Sequence, residues 1–272
     1  MKYFITALLF LLPLQAQGFI SWQKPVVKAQ KPNHQNHGGH GGRKAKQLQL
    51  HNSNPVAHSE AFYILSTLEK RELSLENGLV TLPKTGVSNY HALVINQTYE
   101  NNVNSSVRYI YGHGRPSKTS PTKITHMKKS ELEIAPSPLP REHDRYASSR
   151  TYAFELRFKG KAFPNATVTL STSNETEETF KSNEDGEFKV TIPNDFKDVK
   201  TGRRANKAAE FMLKASHLDN GINYTTTLAM PYSVNPVNHW QNRTMGLIVL
   251  VIGLIVGLFL FRNINKKKKR KA

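Results

Sequence analysis

Thr151-Tyr152-Ala153-Phe154-Glu155-Leu156-Arg157-Phe158-Lys159 is the most regular stretch of this chain. Tyr152, Phe154, Leu156 and Phe158 occupy every second position. Side chains on an extended strand alternate between two faces, so the stretch reads as a strand with one buried and one wet face. The pattern repeats downstream in Val168 and Leu170, in Phe188, Val190 and Ile192, in Phe211 and Leu213, and in Tyr224, Thr226 and Leu228. Asn183-Glu184-Asp185-Gly186 lies between Phe180 and Phe188, and its Asp-Gly pair predicts a hairpin turn, because glycine supplies positive φ. Asp195–Ala209, with Lys200, Arg203 and Arg204, reads as a loop or one helical turn. Upstream, strand-like runs cover Ala61–Leu68, His91–Thr98, Val103–Tyr111 and Lys123–Ile134. Turn residues separate them, at Glu76-Asn77-Gly78 and Gly112-His113-Gly114-Arg115-Pro116. Ile134-Ala135-Pro136-Ser137-Pro138-Leu139-Pro140 carries three prolines and predicts an extended crossover between domains. The expected fold class is all-β, with two tandem immunoglobulin-like sandwiches at residues 59–146 and 147–240.

The ends read differently. Residues 1–18 have a basic start, an apolar run from Tyr3 to Leu14 and a small-residue exit, the layout of a signal peptide. Met245–Phe261 contains no charge. As a helix it spans roughly 25 Å, enough for a transmembrane helix at residues 244–261. The tail at 262–272 holds Arg262, Lys266, Lys267, Lys268, Lys269, Arg270 and Lys271. By the positive-inside rule that tail is cytoplasmic, and the bulk of the chain lies in the periplasm, anchored to the inner membrane. Gly253 and Gly257 form a GxxxG pair that suits a homodimer of anchors.

The chain has 272 residues, 38 Lys plus Arg against 20 Asp plus Glu, a net charge of +18 and no cysteine. Disulfides, thiolate metal sites and cysteine nucleophiles are thereby excluded. Much of the positive charge lies in the tail and in the arm at residues 19–58, where Lys24, Lys28, Lys31, Arg43, Lys44 and Lys46 stand without an acidic residue. Nucleic-acid binding needs that charge on a folded face, so no nucleic-acid partner is expected. The arm is poor in large apolar residues and is expected to be flexible.

Phe158-Lys159-Gly160-Lys161-Ala162-Phe163-Pro164-Asn165-Ala166-Thr167-Val168-Thr169-Leu170, followed by Asn183-Glu184-Asp185-Gly186-Glu187-Phe188 through Ile192-Pro193, resembles the carboxypeptidase-regulatory-like or transthyretin-like sandwiches of bacterial exported proteins. Val107-Arg108-Tyr109-Ile110-Tyr111-Gly112-His113-Gly114 resembles the strand end Phe-Gly-His-Pro of a periplasmic two-sandwich family. That family includes accessory subunits of nickel and cobalt transporters, often with one C-terminal membrane helix. Here Gly114-Arg115-Pro116 replaces a proline directly after the histidine. The resemblance implies a metal-handling accessory that works beside a membrane transporter or other membrane protein.

The chain has eleven histidines. His34, His37 and His40 lie at spacing three in a glycine-rich tract, and imidazoles there suit Ni, Co, Cu or Zn. The arm is equally a soluble linker on this reading. His91, His113, His143 and His217 are the candidate metal ligands of the folded part. His143 stands in Arg141-Glu142-His143-Asp144-Arg145, where a carboxylate can orient its ring or a salt-bridged corner can form. Glu131 and Glu133 alternate with Leu132 and Ile134 and are expected on one wet face. Nucleophile elbows, zincin helices, Walker loops and dinucleotide fingerprints are lacking, so no enzyme is expected. Sequons at Asn96, Asn104, Asn165, Asn174, Asn223 and Asn242 keep a eukaryotic glycoprotein open, although a cysteine-free exported sandwich favours a bacterial source. The leading expectation is a membrane-anchored extracytoplasmic accessory that binds or passes on a divalent metal. The alternative is a non-catalytic scaffold, adhesion or assembly subunit presenting sandwich surfaces to protein or glycan partners.

Overall fold

A computed structural model describes residues 19–23, 47–51, 57–140, 145–239 and 243–269. In chain order the strands are β1 (Ser21–Gln23), β2 (Gln47–His51), β3 (His58–Ile64), β4 (Lys70–Glu72), β5 (Leu79–Thr81), β6 (Val87–Ser88), β7 (Tyr90–Tyr99), β8 (Asn102–Tyr111) and β9 (Arg115–Pro116). Helix α1 (Pro121–His126) precedes β10 (Leu132–Pro136), β11 (Tyr146–Ala147), β12 (Thr151–Phe158), β13 (Lys161–Ala162), β14 (Thr167–Thr172), β15 (Glu177–Lys181) and β16 (Glu187–Thr191). Then come β17 (Ala209–Asp219), β18 (Ile222–Ser233), the single turn α2 (Pro236–His239) and the long helix α3 (Arg243–Lys269).

The body is mostly β-sheet, as its alternation predicts, but its strands do not sort into two tandem sandwiches. A nine-stranded sheet runs β15-β14-β17-β18-β8-β7-β3-β4, with β11 added beside β18. It therefore takes strands from both stretches assigned above to separate domains. The join is parallel, from Asn223 opposite Asn102 to Leu228 opposite Val107. Its side chains reinforce it: the Ser105 hydroxyl donates to Thr226 Oγ1 at 3.0 Å, and the Thr227 hydroxyl donates to Ser106 Oγ at 2.8 Å. Buried hydroxyls need partners, and here each strand satisfies the other.

Both faces of this sheet are covered. One face packs Phe62, Ile64, Ala92, Val94 and Val107 against Phe154, Leu156, Phe188 and Val190 of a four-stranded sheet built from β10, β12, β13 and β16. On the other face, Ala61, Tyr63, Leu93, Ile95 and Ile110 meet Ile20, Trp22, Leu48, Leu50 and Val80 of a three-stranded sheet, β1-β2-β5. The expected flexible arm thus supplies β1 and β2, two of the three strands of an outer layer. Its apolar residues are few, but Ile20 and Trp22, and Leu48 and Leu50, stand two apart and so share a face of their strands. Residues 24–46, and the expected signal peptide at residues 1–18, lie outside the described residues.

Four more expectations change. Asn183–Gly186 does form a tight turn, with Asn183 Oδ1 accepting from the Asp185 and Glu187 amides. It is not a hairpin, however, since β15 pairs with β14 and β16 pairs with β12. The turn carries the chain from one sheet to the facing one. Gly186 has φ +75°, and a Cβ there would stand 2.6 Å from the Leu156 carbonyl oxygen, so both backbone shape and closeness demand glycine.

The run Lys123–Ile134 begins as helix. Ser120 Oγ accepts from the Thr122 amide and Pro121 opens the first turn, an N-terminal capping arrangement. Ile134, Ala135 and Pro136 of the proline-rich linker belong to β10, an edge strand buried throughout its length, where Pro136 withholds no needed ladder donor. Glu131 is half-exposed and bonds Lys128, whereas Glu133 is buried and pairs with the buried Lys129 ammonium at 2.5 Å. That ammonium also donates to the Ile124 and Met127 carbonyls, so a folded-back lysine removes the expected wet face.

Candidate functional site

The seven candidate histidines do not converge among the described residues. His34, His37, His40 and His143 lie outside them. His91 sits in β7, 1% exposed, against the Tyr63 ring. Its Nδ1 accepts from the Ser66 amide at 3.1 Å, and Nε2 lies 3.0 Å from Thr85 Oγ1. An accepting Nδ1 assigns the neutral, Nε2-protonated tautomer. Burial pushes its pKa below the usual 6.5, and the Val87 carbonyl only partly opposes this. Both ring nitrogens are thus committed within the fold.

His113 is exposed and rests edge-on against Tyr111 at 5.3 Å. The glycines beside it have a structural reason. The segment Gly112–Arg115 runs against Gly86–Ser88, with β6 and β9 paired in parallel. A Cβ on Gly112 would meet the Val87 carbonyl oxygen at 2.7 Å, and one on Gly114 would meet the Gly86 carbonyl oxygen at 2.0 Å. The glycines that flank the candidate ligand His113 mark a backbone crossing. His217, on β17, packs between Phe158 and Phe163 at 4.6 and 4.5 Å. Among the described residues no three His, Asp or Glu groups are placed to hold a metal ion.

Sequence reasoning missed the polar clusters that do form, because their members lie far apart along the chain. Arg108 of β8 makes a two-armed bridge to Glu210 of β17 at 2.8 and 3.2 Å, and it also donates to the Trp22 carbonyl at 3.0 Å. It ties the outer layer to the central sheet. Asp195 receives Thr172 and Thr176 hydroxyls, the Asn174 amide and the Tyr232 hydroxyl, at 2.6–3.1 Å. Partial burial would raise this carboxyl, but the four donors outweigh it and hold the pKa below its usual value. Asn96, Asn174 and Asn223 use their side-chain amides as donors within the fold, so these sequons have structural roles.

One cleft stands beside the Asp195 cluster, and a second lies apart from both clusters. The first, of about 570 Å³, is bordered by Asp195, Phe196, Lys197, Lys200, Asn206 and Lys207. The second, of about 410 Å³, is neutral, with Asn89, Tyr111, Thr119, Pro138 and Leu139 on its walls. Neither gathers an acid–base pair with a nucleophile.

Helix α3 contains an apolar stretch, Thr244–Arg262, long enough to cross a membrane and not buried against the body. Nothing lies within 4 Å of a Cβ built on Gly253 or Gly257. The class so defined is a layered β body that carries one C-terminal apolar helix. No family model matches the chain, and no curated protein matches it. Among solved structures it is similar to a Ca2+-stabilised adhesin with which an Antarctic bacterium binds ice, at 11% identity and TM-score 0.25, over 80% of this chain. The chain spans only 49% of that adhesin chain. It is also similar to the D0–D1 domain of intimin, at 14% identity and TM-score 0.23, over 70% of this chain and 91% of that one. Scores this low leave function to be argued from the chain's own geometry, and neither likeness bears on nickel or cobalt.

Proposed function

We propose that the protein is a membrane-tethered, non-catalytic scaffold that holds a rigid β body outside the bilayer and presents its surfaces to a protein or glycan partner. The observation that carries this reading is where the polar side chains go. Arg108, Glu210 and Asp195 bind strands and layers to one another, His91 ties β7 to the segments holding Ser66 and Thr85, and Lys129 with Glu133 closes the turn from α1 into β10, rather than all pointing together into one cleft. Such networks favour one fixed arrangement, which suits display. Helix α3 supports the tether, by length and composition.

The test compares the full chain with one ending at His239. The full chain should stay in membranes through an alkaline wash, and the shorter one should be released folded. The released body should melt at the same temperature with or without Ni, Co, Cu(II) or Zn. A saturable rise in melting temperature with one of these ions would favour metal handling instead.

A further inference from the structure

We infer that the β16–β17 connection is a docking surface for the anionic phospholipid headgroups of the bilayer that holds α3, so that the body lies against its own membrane. The inference rests on reading α3 as the anchor. Between Phe196 and Lys207 the sequence places Lys197, Lys200, Arg203, Arg204 and Lys207 against the single acidic residue Asp198. Lys197, Lys200, Arg204 and Lys207 are exposed. Val199, 38% exposed, stands among them directly after Asp198, whose φ is +55°. A bare apolar side chain among lysines fits the boundary between headgroups and acyl chains.

The loop is built rather than loose. Asn206 accepts from the Lys200 amide at 2.8 Å and donates to the Lys200 and Gly202 carbonyls at 2.6 and 3.0 Å. Phe196 packs on Tyr232, and the Asp195 cluster fixes the loop's entry. Its position relative to the helix follows from one bond and from chain length. The Gly202 amide donates to the His239 carbonyl at 2.9 Å. Arg243, the first residue of α3, is four residues beyond His239. Fully extended, four residues reach at most about 14 Å. The basic loop is therefore held near the end of the apolar helix, where the headgroups of a spanned bilayer lie. Phosphate groups there meet a loop with five basic residues against one acid at close to a screening length.

The absence of cysteine allows a single label. A full-length Val199→Cys chain carrying an environment-sensitive fluorophore is placed in nanodiscs of phosphatidylcholine, with or without phosphatidylglycerol, each containing a headgroup-nitroxide quencher. Quenching should be stronger in the anionic discs, and high salt should return it to the neutral level. A basic side chain near an anionic surface is worth about fivefold in association, so Lys200→Gln, Arg204→Gln and Lys207→Gln together should lower the docked-to-free ratio on the order of a hundredfold. Equal quenching in both lipids, with the helix still resisting alkaline extraction, overturns the docking surface and leaves the anchor standing. Loss of the chain from both kinds of disc overturns the anchor, and the docking surface with it.

Discussion

His91 illustrates how far a residue's type is from its role. Its place between Tyr90 and Ala92 gave no hint of partners, since Ser66 and Thr85 come from other segments. Only the geometry identifies the ring as a neutral core group. Burial lowers its folded pKa below the ordinary 6.5, so the unfolded chain binds its proton first as pH falls. The group's stabilisation is complete above pH 6.5 and is lost as pH drops through the folded value. His91→Gln cannot titrate in this way. It should cost about 1–3 kcal/mol near neutral pH, by disturbing the buried bonds to Ser66 and Thr85. The stability difference between the two proteins should shrink on acidification, measured by denaturant melts at pH 7.5 and pH 5.5. A difference that grows at the lower pH would show that the ring is charged in the fold.

Among elements, the strands announced by alternation were legible. Phe154 and Leu156 of β12, Phe188 and Val190 of β16, and Leu213 of β17 are all buried. What alternation could not announce was a strand buried on both faces. Ala92-Leu93-Val94-Ile95 is apolar at consecutive positions, the pattern of a central strand covered twice, and it was the available sign of a third layer. Two of that layer's three strands come from a segment whose average composition argued for disorder, although two apolar pairs suffice to make short strands. Trp22 is fully buried beneath it, and Arg108 holds the carbonyl of the same residue. Trp22→Ala should destabilise the body by about 3–5 kcal/mol. It should also raise binding of a hydrophobic dye, as Leu93, Ile95 and Ile110 lose cover. An unchanged denaturation midpoint would mean that β1 is not docked in solution.

For the whole molecule, the decisive feature is the parallel ladder between β8 and β18. Residues 59–146 and 147–240 each hold enough alternating strands to suggest a domain, and the prolines between them read as an extended crossover at the domain boundary. Sequence patterns report which face of a strand is buried but not which strand lies beside its edge, so the ladder was invisible. Its consequence is cooperative. If strands of both stretches share one sheet and one core, neither stretch can open while the other stays closed. Residues 19–239 should therefore unfold in a single thermal transition, with calorimetric and van't Hoff enthalpies in agreement. Val107→Ala on β8 and Leu213→Ala on β17, both fully buried in the same core, come from the two stretches. A loss of about 2–4 kcal/mol for the leucine and about 1–3 for the valine is expected from their removed methyl groups. At this size each kcal/mol moves the midpoint by about 2–4 °C. Both variants should move the same transition without splitting it. Two transitions, each answering to one variant alone, would restore a pair of independent sandwiches and reduce the ladder to a contact between neighbours.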